Sequence, residues 1–191
     1  MVIFVGGVQF TVFWMLAEAL YPNYSIMNNY ISDLGTNCSA GAGACYVPPA
    51  WLMFNVSQAV FGILIVLGAY YLQLAYEYKP ATVMIAIAGA ALIGVGVFNE
   101  SWDPWHSLFS LITFLFAGLS AIVTFRLQRP PMSYLSALLG AISLVALLLY
   151  IPGTGSFGST IGIGPGGLER MIVYPVLVWA IGFGGHMMGR S

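Results

Sequence analysis

The stretch ATVMIAIAGAALIGVGVF, Ala81 to Phe98, carries no charged side chain from end to end. At 1.5 Å per residue such a run covers most of a hydrocarbon core about 30 Å thick, so it reads as a membrane-crossing helix rather than part of a water-soluble core. Working outward, comparable apolar runs occupy Val2 to Leu20, Pro49 to Tyr76, Trp105 to Phe125, Ser133 to Ile151 and Leu168 to Met188. The whole chain of 191 residues is 60% hydrophobic and 6% charged, with a mean hydropathy of +0.91. These features predict one all-α domain over residues 1–191, an integral membrane bundle of six transmembrane helices in the cell membrane.

The sparse charges orient it. Lys79 follows the second span, Arg126 and Arg129 follow the fourth, and Arg190 follows the sixth, whereas Tyr21 to Pro48, Asn99 to Pro104 and Pro152 to Gly167 contain no Lys or Arg. The positive-inside rule therefore predicts cytoplasmic termini and three outer loops. The first span lacks a basic start and a small-residue cleavage pattern, so it is read as a retained helix. A net charge of -1, with no basic aromatic patch, excludes nucleic acid as a partner.

In this topology Glu18, Asp33, Glu100, Asp103 and Glu169 gather at the outer face with His106 and Arg170, and ionisable groups in so apolar a chain mark the first place to look for function. Asn55 and Gln58 share a face of the second span by their i, i+3 spacing, fit for interhelical hydrogen bonding or for ligand contact. In NESWDPWH, Pro104 suits a first helical position and Asp103 an N-cap, while Trp102 and Trp105 suit an interfacial belt. His106 then opens the fourth span, with Ser110 one turn further along the same face. Arg170 is expected to meet Asp33 or Glu100, to bind an anionic headgroup, or to snorkel at the interface.

The outer loops hold further features. Cys38 and Cys45 lie where an oxidising compartment would join them in a disulfide or leave two thiols. Asn23, Asn37 and Asn99 each open an N-x-S sequon. GTGSFG formally matches G-x-G-x-x-G, but it follows a membrane helix rather than a strand, so a nucleotide site is rejected in favour of an outer loop or lid.

The run YSIMNNYISDLG, Tyr24 to Gly35, resembles the signature of a prokaryotic polytopic membrane family catalogued as domain of unknown function 998. Phe54-Asn55, the His106 helix and GLER, Gly167 to Arg170, continue that resemblance in order along the chain. More distantly, ISDLG and the His-bearing helix are similar to the eukaryotic group containing the damage-regulated autophagy modulators and a protein of GPI-anchor lipid remodelling. The resemblance implies six helices and lipid handling, and a site at Ser32, Asp33, Asn55, His106, Glu169 and Arg170.

Two functions compete. The first is an outward-facing pocket that binds or processes a lipid headgroup or other amphiphile. There Asp33, His106 and Glu169 serve as acid, base or proton carriers, and Arg170, Asn55, Gln58, Ser32 and Glu100 serve as ligand contacts. Ser32 is read either as a nucleophile or as a turn residue. The second is a non-catalytic structural or haem-bearing subunit packed against a larger membrane complex or a second copy, with His186 and Met187 or Met188 as haem ligands. No cofactor is fixed by the residues, and a zinc site is disfavoured because His106 and His186 fall in opposite leaflets. Ion translocation ranks below both, because the third and fifth spans contain no ionisable group.

Overall fold

In hydrocarbon each backbone N–H and C=O must find its partner within the protein, which makes helices of these apolar runs. The computed structural model describes residues 1–36, 48–150 and 156–189; Cys38, Cys45, Asn37, Arg190 and the first part of the Gly-rich segment lie outside the described residues. The elements are α1 (Val2–Leu20), the short α2 (Asp33–Thr36), α3 (Ala50–Tyr76), α4 (Lys79–Val97), α5 (Trp105–Val123, continued by a 3₁₀ turn at Thr124–Leu127), α6 (Met132–Tyr150), the short α7 (Ser156–Thr160) and α8 (Gly164–Met188). Six of them are long and apolar enough to cross a membrane.

The described chain is all-helical. α3 packs against both α1 and α4, α4 packs against α5, and α1 closes on α8. These helices and α8's looser contact with α5 make a ring of five, while α6 packs on both α5 and α8. Close approach within the ring depends on missing side chains. A Cβ on Gly62 of α3 would strike the Gly89 carbonyl of α4, and a Cβ on Gly96 would strike the backbone of Asn55 and Ala59. Gly94 lies against the Phe109 ring of α5.

Lys79, Arg126 and Arg129 are exposed at the end of the bundle that carries the termini. Exposed Trp102 and Trp105 ring the opposite end, and Tyr70, Tyr71 and Tyr76 ring the terminal one.

Three local features differ from the sequence reading. α8 begins at Gly164 rather than Leu168, because Pro165 occupies its first turn, where an absent N–H breaks no helical bond. The described part of the Gly-rich segment is not an open loop, since α7 packs against α8. Asp103 acts one position early, with Pro104 at the N-cap and the Asp103 carboxylate accepting from Ser107 N at 3.3 Å and Ser107 Oγ at 2.7 Å.

Candidate functional site

At the end opposite the termini, Arg170 is the anchor. From the second turn of α8 its Nη2 donates to Glu18 Oε1 at 2.9 Å and to the Tyr24 hydroxyl at 2.5 Å, while Nη1 donates to the carbonyls of Ile26, Asn29 and Gly166, each at 3.0 Å. Arg170 is only 2% exposed, so a charge that would be expensive in isolation is matched by one carboxylate and three carbonyl dipoles. Neither Asp33 nor Glu100 is its partner.

The glycines before Arg170 let the first loop reach it. Gly164 has φ of +69°, and a Cβ there would collide with the Met27 carbonyl; one on Gly166 would collide with the Asn29 carbonyl. With those side chains absent, loop backbone lies directly on helix backbone, and Gly166 N donates to Met27 O at 3.0 Å. The two motifs YSIMNNYISDLG and GPGGLER are thus one structural unit. The docking carries Ile31 N–H to the Glu169 carboxylate, which accepts from it.

A second acidic group lies beside this unit. Asp33 Oδ2 accepts from Asn29 Nδ2 at 2.8 Å and from Tyr30 N at 2.9 Å, which shapes the turn into α2. Glu100 accepts from Ser32 Oγ at 3.4 Å and Thr36 Oγ1 at 3.3 Å. Burial and then the neighbouring Asp33 charge push the Glu100 carboxyl up to about 7, with the Thr36 and Ser32 hydroxyls opposing the rise. Asn55 Nδ2 donates to Gly35 O at 2.8 Å and fixes α2 on α3.

His106 has a defined tautomer. Its Nδ1 lies 2.9 Å from the Phe98 carbonyl, which can only accept, so Nδ1 carries the hydrogen. In the neutral ring Nε2 is then the acceptor, and Ser110 Oγ lies 3.3 Å from it. Elsewhere on these helices Thr11, Thr82 and Ser120 give their hydroxyls to the carbonyl four residues back. Ser110 gives its own to the imidazole instead.

These groups surround the mouth of a long cavity within the five-helix ring. Within it the centre of a water-sized molecule can move through about 100 Å³. Ser32, Asn55, Asn99, His106 and Glu169 line its upper part, and Phe10, Phe61, Leu92, Phe114, Val176 and Leu177 line the shaft below. α5 follows it from His106 to Ser120, a span of about 21 Å at helical rise. α6 contributes nothing to its wall.

Partway down, the lining turns polar again. Gln58 is 6% and Thr113 8% exposed, both line the cavity, and neither Gln58 Oε1 nor Thr113 Oγ1 has a hydrogen-bond partner. Each sits eight residues into its helix, roughly 12 Å from that helix's own start.

Of the sequence candidates, then, Ser32, Asn55, Gln58, His106 and Glu169 border the cavity, while Asp33, Glu100 and Arg170 stand behind them. Asn99, a sequon residue, is buried with its side chain accepting from Ser101 N at 3.1 Å. His186 lies near the other end of α8, its Nε2 buried without a partner. Among the described residues no three His, Cys, Asp or Glu side chains form a metal-ligating group.

Sequence reasoning missed Thr113, Asn99 as a lining residue, and Glu18 as the partner of Arg170. A signal for the first existed. His106, Ser110, Thr113, Ala117 and Ser120 recur every three or four residues as a small or polar stripe along an α5 otherwise built of Leu, Ile and Phe.

The fold and this site define a polytopic helical membrane protein with a polar-mouthed internal cavity. The chain belongs to the family described as Protein of unknown function (DUF998), which matches residues 4–186. No curated protein and no solved structure matches it.

Proposed function

We propose that this protein binds a single-chain amphiphile through the face opposite its termini, and that this face is the outer one, a reading supported by Lys79, Arg126 and Arg129 at the other end. The carrying observation is one cavity with a hydrogen-bonding mouth above an apolar shaft. Such a shape takes a hydrocarbon chain inward and leaves a polar head at the rim, where buried polar groups need partners.

The head it suits is uncharged and rich in hydroxyls. Glu169 lines the mouth, Glu100 and Asp33 lie behind it, and the cation of the cluster, Arg170, is committed to Glu18 and to backbone carbonyls. An anionic head finds no free cation there, whereas hydroxyls can donate to the carboxyl groups and to Asn99. In this reading Ser32, Asn55, Gln58, His106 and Glu169 meet the ligand; Asp33, Glu100 and Arg170 hold the mouth in shape. A monoacylglycerol has the required form.

Displacement of a fluorescent acyl probe from the purified full chain in detergent tests this. Monopalmitoylglycerol is expected to displace the probe at least tenfold more effectively than palmitate or a lysophosphatidic acid. Equal or stronger displacement by the anionic lipids, or no probe uptake at all, would refute the assignment.

A further inference from the structure

We infer that Ser110 and His106 form a nucleophile–base pair that cleaves the acyl ester of a lipid held in this cavity, an inference that rests on the binding role proposed above. Three observations of geometry meet on one face of α5. First, the Ser110 hydroxyl departs from the back-bonding that Thr11, Thr82 and Ser120 adopt and lies 3.3 Å from His106 Nε2. Second, the Phe98 carbonyl at 2.9 Å from Nδ1 leaves the lone pair on Nε2, the nitrogen that faces the serine. A serine against an imidazole whose far side is oriented by a third group is the arrangement that activates a hydroxyl as a nucleophile.

Third, the ester has a place to sit. With its head at the level of His106, a single-chain lipid carries its ester about one helical turn deeper, beside Ser110, and its chain continues past Ala117 toward Ser120. Thr113, three residues after Ser110 on the same helix face, adds a buried hydroxyl without a partner to the cavity wall, and Gln58 of α3 adds an unpartnered amide oxygen. These are open hydrogen-bonding positions inside an apolar shaft, where an unmatched polar atom is costly.

In the reaction Ser110 Oγ adds to the ester carbonyl carbon while its proton passes to His106 Nε2. The carbonyl oxygen, now negative, accepts from the Thr113 hydroxyl. Collapse breaks the bond between the carbonyl carbon and the alkoxy oxygen, which takes the proton from His106 and leaves as an alcohol. Water, held by Gln58 Oε1, then adds to the Ser110 ester, gives its proton to Nε2, and releases a fatty acid as Ser110 regains its hydrogen. The sum is ester plus water giving acid plus alcohol, without oxidant or metal. Glu169 and Glu100 are not needed for either transfer.

The test uses the full chain in detergent, a long-chain alkyl fluorophosphonate and monopalmitoylglycerol. Wild-type protein is expected to gain one alkylphosphonyl adduct mapping to Ser110 and to release palmitate. Ser110→Ala should lose both, and His106→Gln should lower the rate of adduct formation about 100-fold or more. Ser107→Ala removes a hydroxyl that pairs with Asp103 outside the cavity and should keep both. Adduct on another residue, or full turnover by Ser110→Ala, overturns the inference. Wild-type protein that exchanges the acyl probe for monopalmitoylglycerol yet forms no adduct and releases no acid overturns it too, leaving the binding role intact. Failure of that exchange removes both.

Discussion

Arg170 and Glu18 meet at 2.9 Å across the seam where the last membrane helix closes on the first. The pair also fixes the mouth, because the same guanidinium holds the carbonyls of Ile26 and Asn29. Arg170→Met should therefore cost about 3–5 kcal/mol, since it strands a carboxylate and two carbonyls at once. Glu18→Gln keeps an oxygen for Arg170 and for Trp14 Nε1 and should cost only about 1–2 kcal/mol. Thermal unfolding in detergent compares the two. Hydrogen exchange over residues 21–36 should rise in the arginine variant well before global melting.

Glu100 predicts a pH dependence. Its carboxyl is raised from 4.5 to about 7 in the folded protein, so between those values the fold binds a proton that the unfolded chain has released. Stability from this group is full below about 4.5, declines as pH rises through about 7, and is flat above that. Glu100→Gln imitates the protonated form. It should raise stability at pH 8 by on the order of 2 kcal/mol after allowance for the group's partial exposure, seen as a higher melting temperature, and leave pH 5 nearly unchanged. A variant with the wild-type pH slope would remove Glu100 as the source.

The α3–α4 crossing predicts a steric cost. A Cβ on Gly89 meets Ile65 and the Gly62 carbonyl, and backbone cannot yield as a side-chain end can. Gly89→Val should lower stability by about 1–3 kcal/mol, whereas Val83→Ala on the exposed face should stay within about 0.5 kcal/mol. Urea or thermal denaturation in mild detergent measures both.

Gln58 and Thr113 predict opposite effects on stability and on binding. Replacing their orphaned polar atoms with apolar groups of similar shape, Gln58→Leu and Thr113→Val, should leave the ligand-free protein as stable or more stable by about 1 kcal/mol. The same variants should bind monopalmitoylglycerol at least tenfold more weakly, a loss of about 1.4 kcal/mol. Probe displacement and thermal melting on the same preparations separate the two effects.

The spans were legible because hydropathy averages over some twenty residues, so a boundary error of a few positions leaves the helix intact. Val2–Leu20 is read to the residue, whereas α8 gained its first turn from Pro165, a local effect that the average hides. The site was legible in part for the same reason: the loops place Glu18, Asp33, Glu100, His106, Glu169 and Arg170 at one end without saying which touch. Pairing depends on backbone approach. Arg170 takes Glu18 rather than Asp33 because the glycines of GPGG let residues 26–29 lie flat on α8, and Asp33 is spent on Asn29 and Tyr30. No linear pattern encodes that choice. A polar pocket at this end was legible, but its apolar shaft was not, because each helix supplies only a narrow stripe of that wall.

The ring closure has a consequence for biogenesis. Glu18 and Arg170 are 152 positions apart, so Glu18 is made well before the helix that carries its cation. Until then α1 has an open flank, and the loop carrying Ile31 has no glycine platform on which to settle. The five-helix ring around the cavity consequently closes only when α8 docks. A chain that ends before Gly164 keeps the Glu18 carboxylate without its cation, a cost that docking of α8 removes.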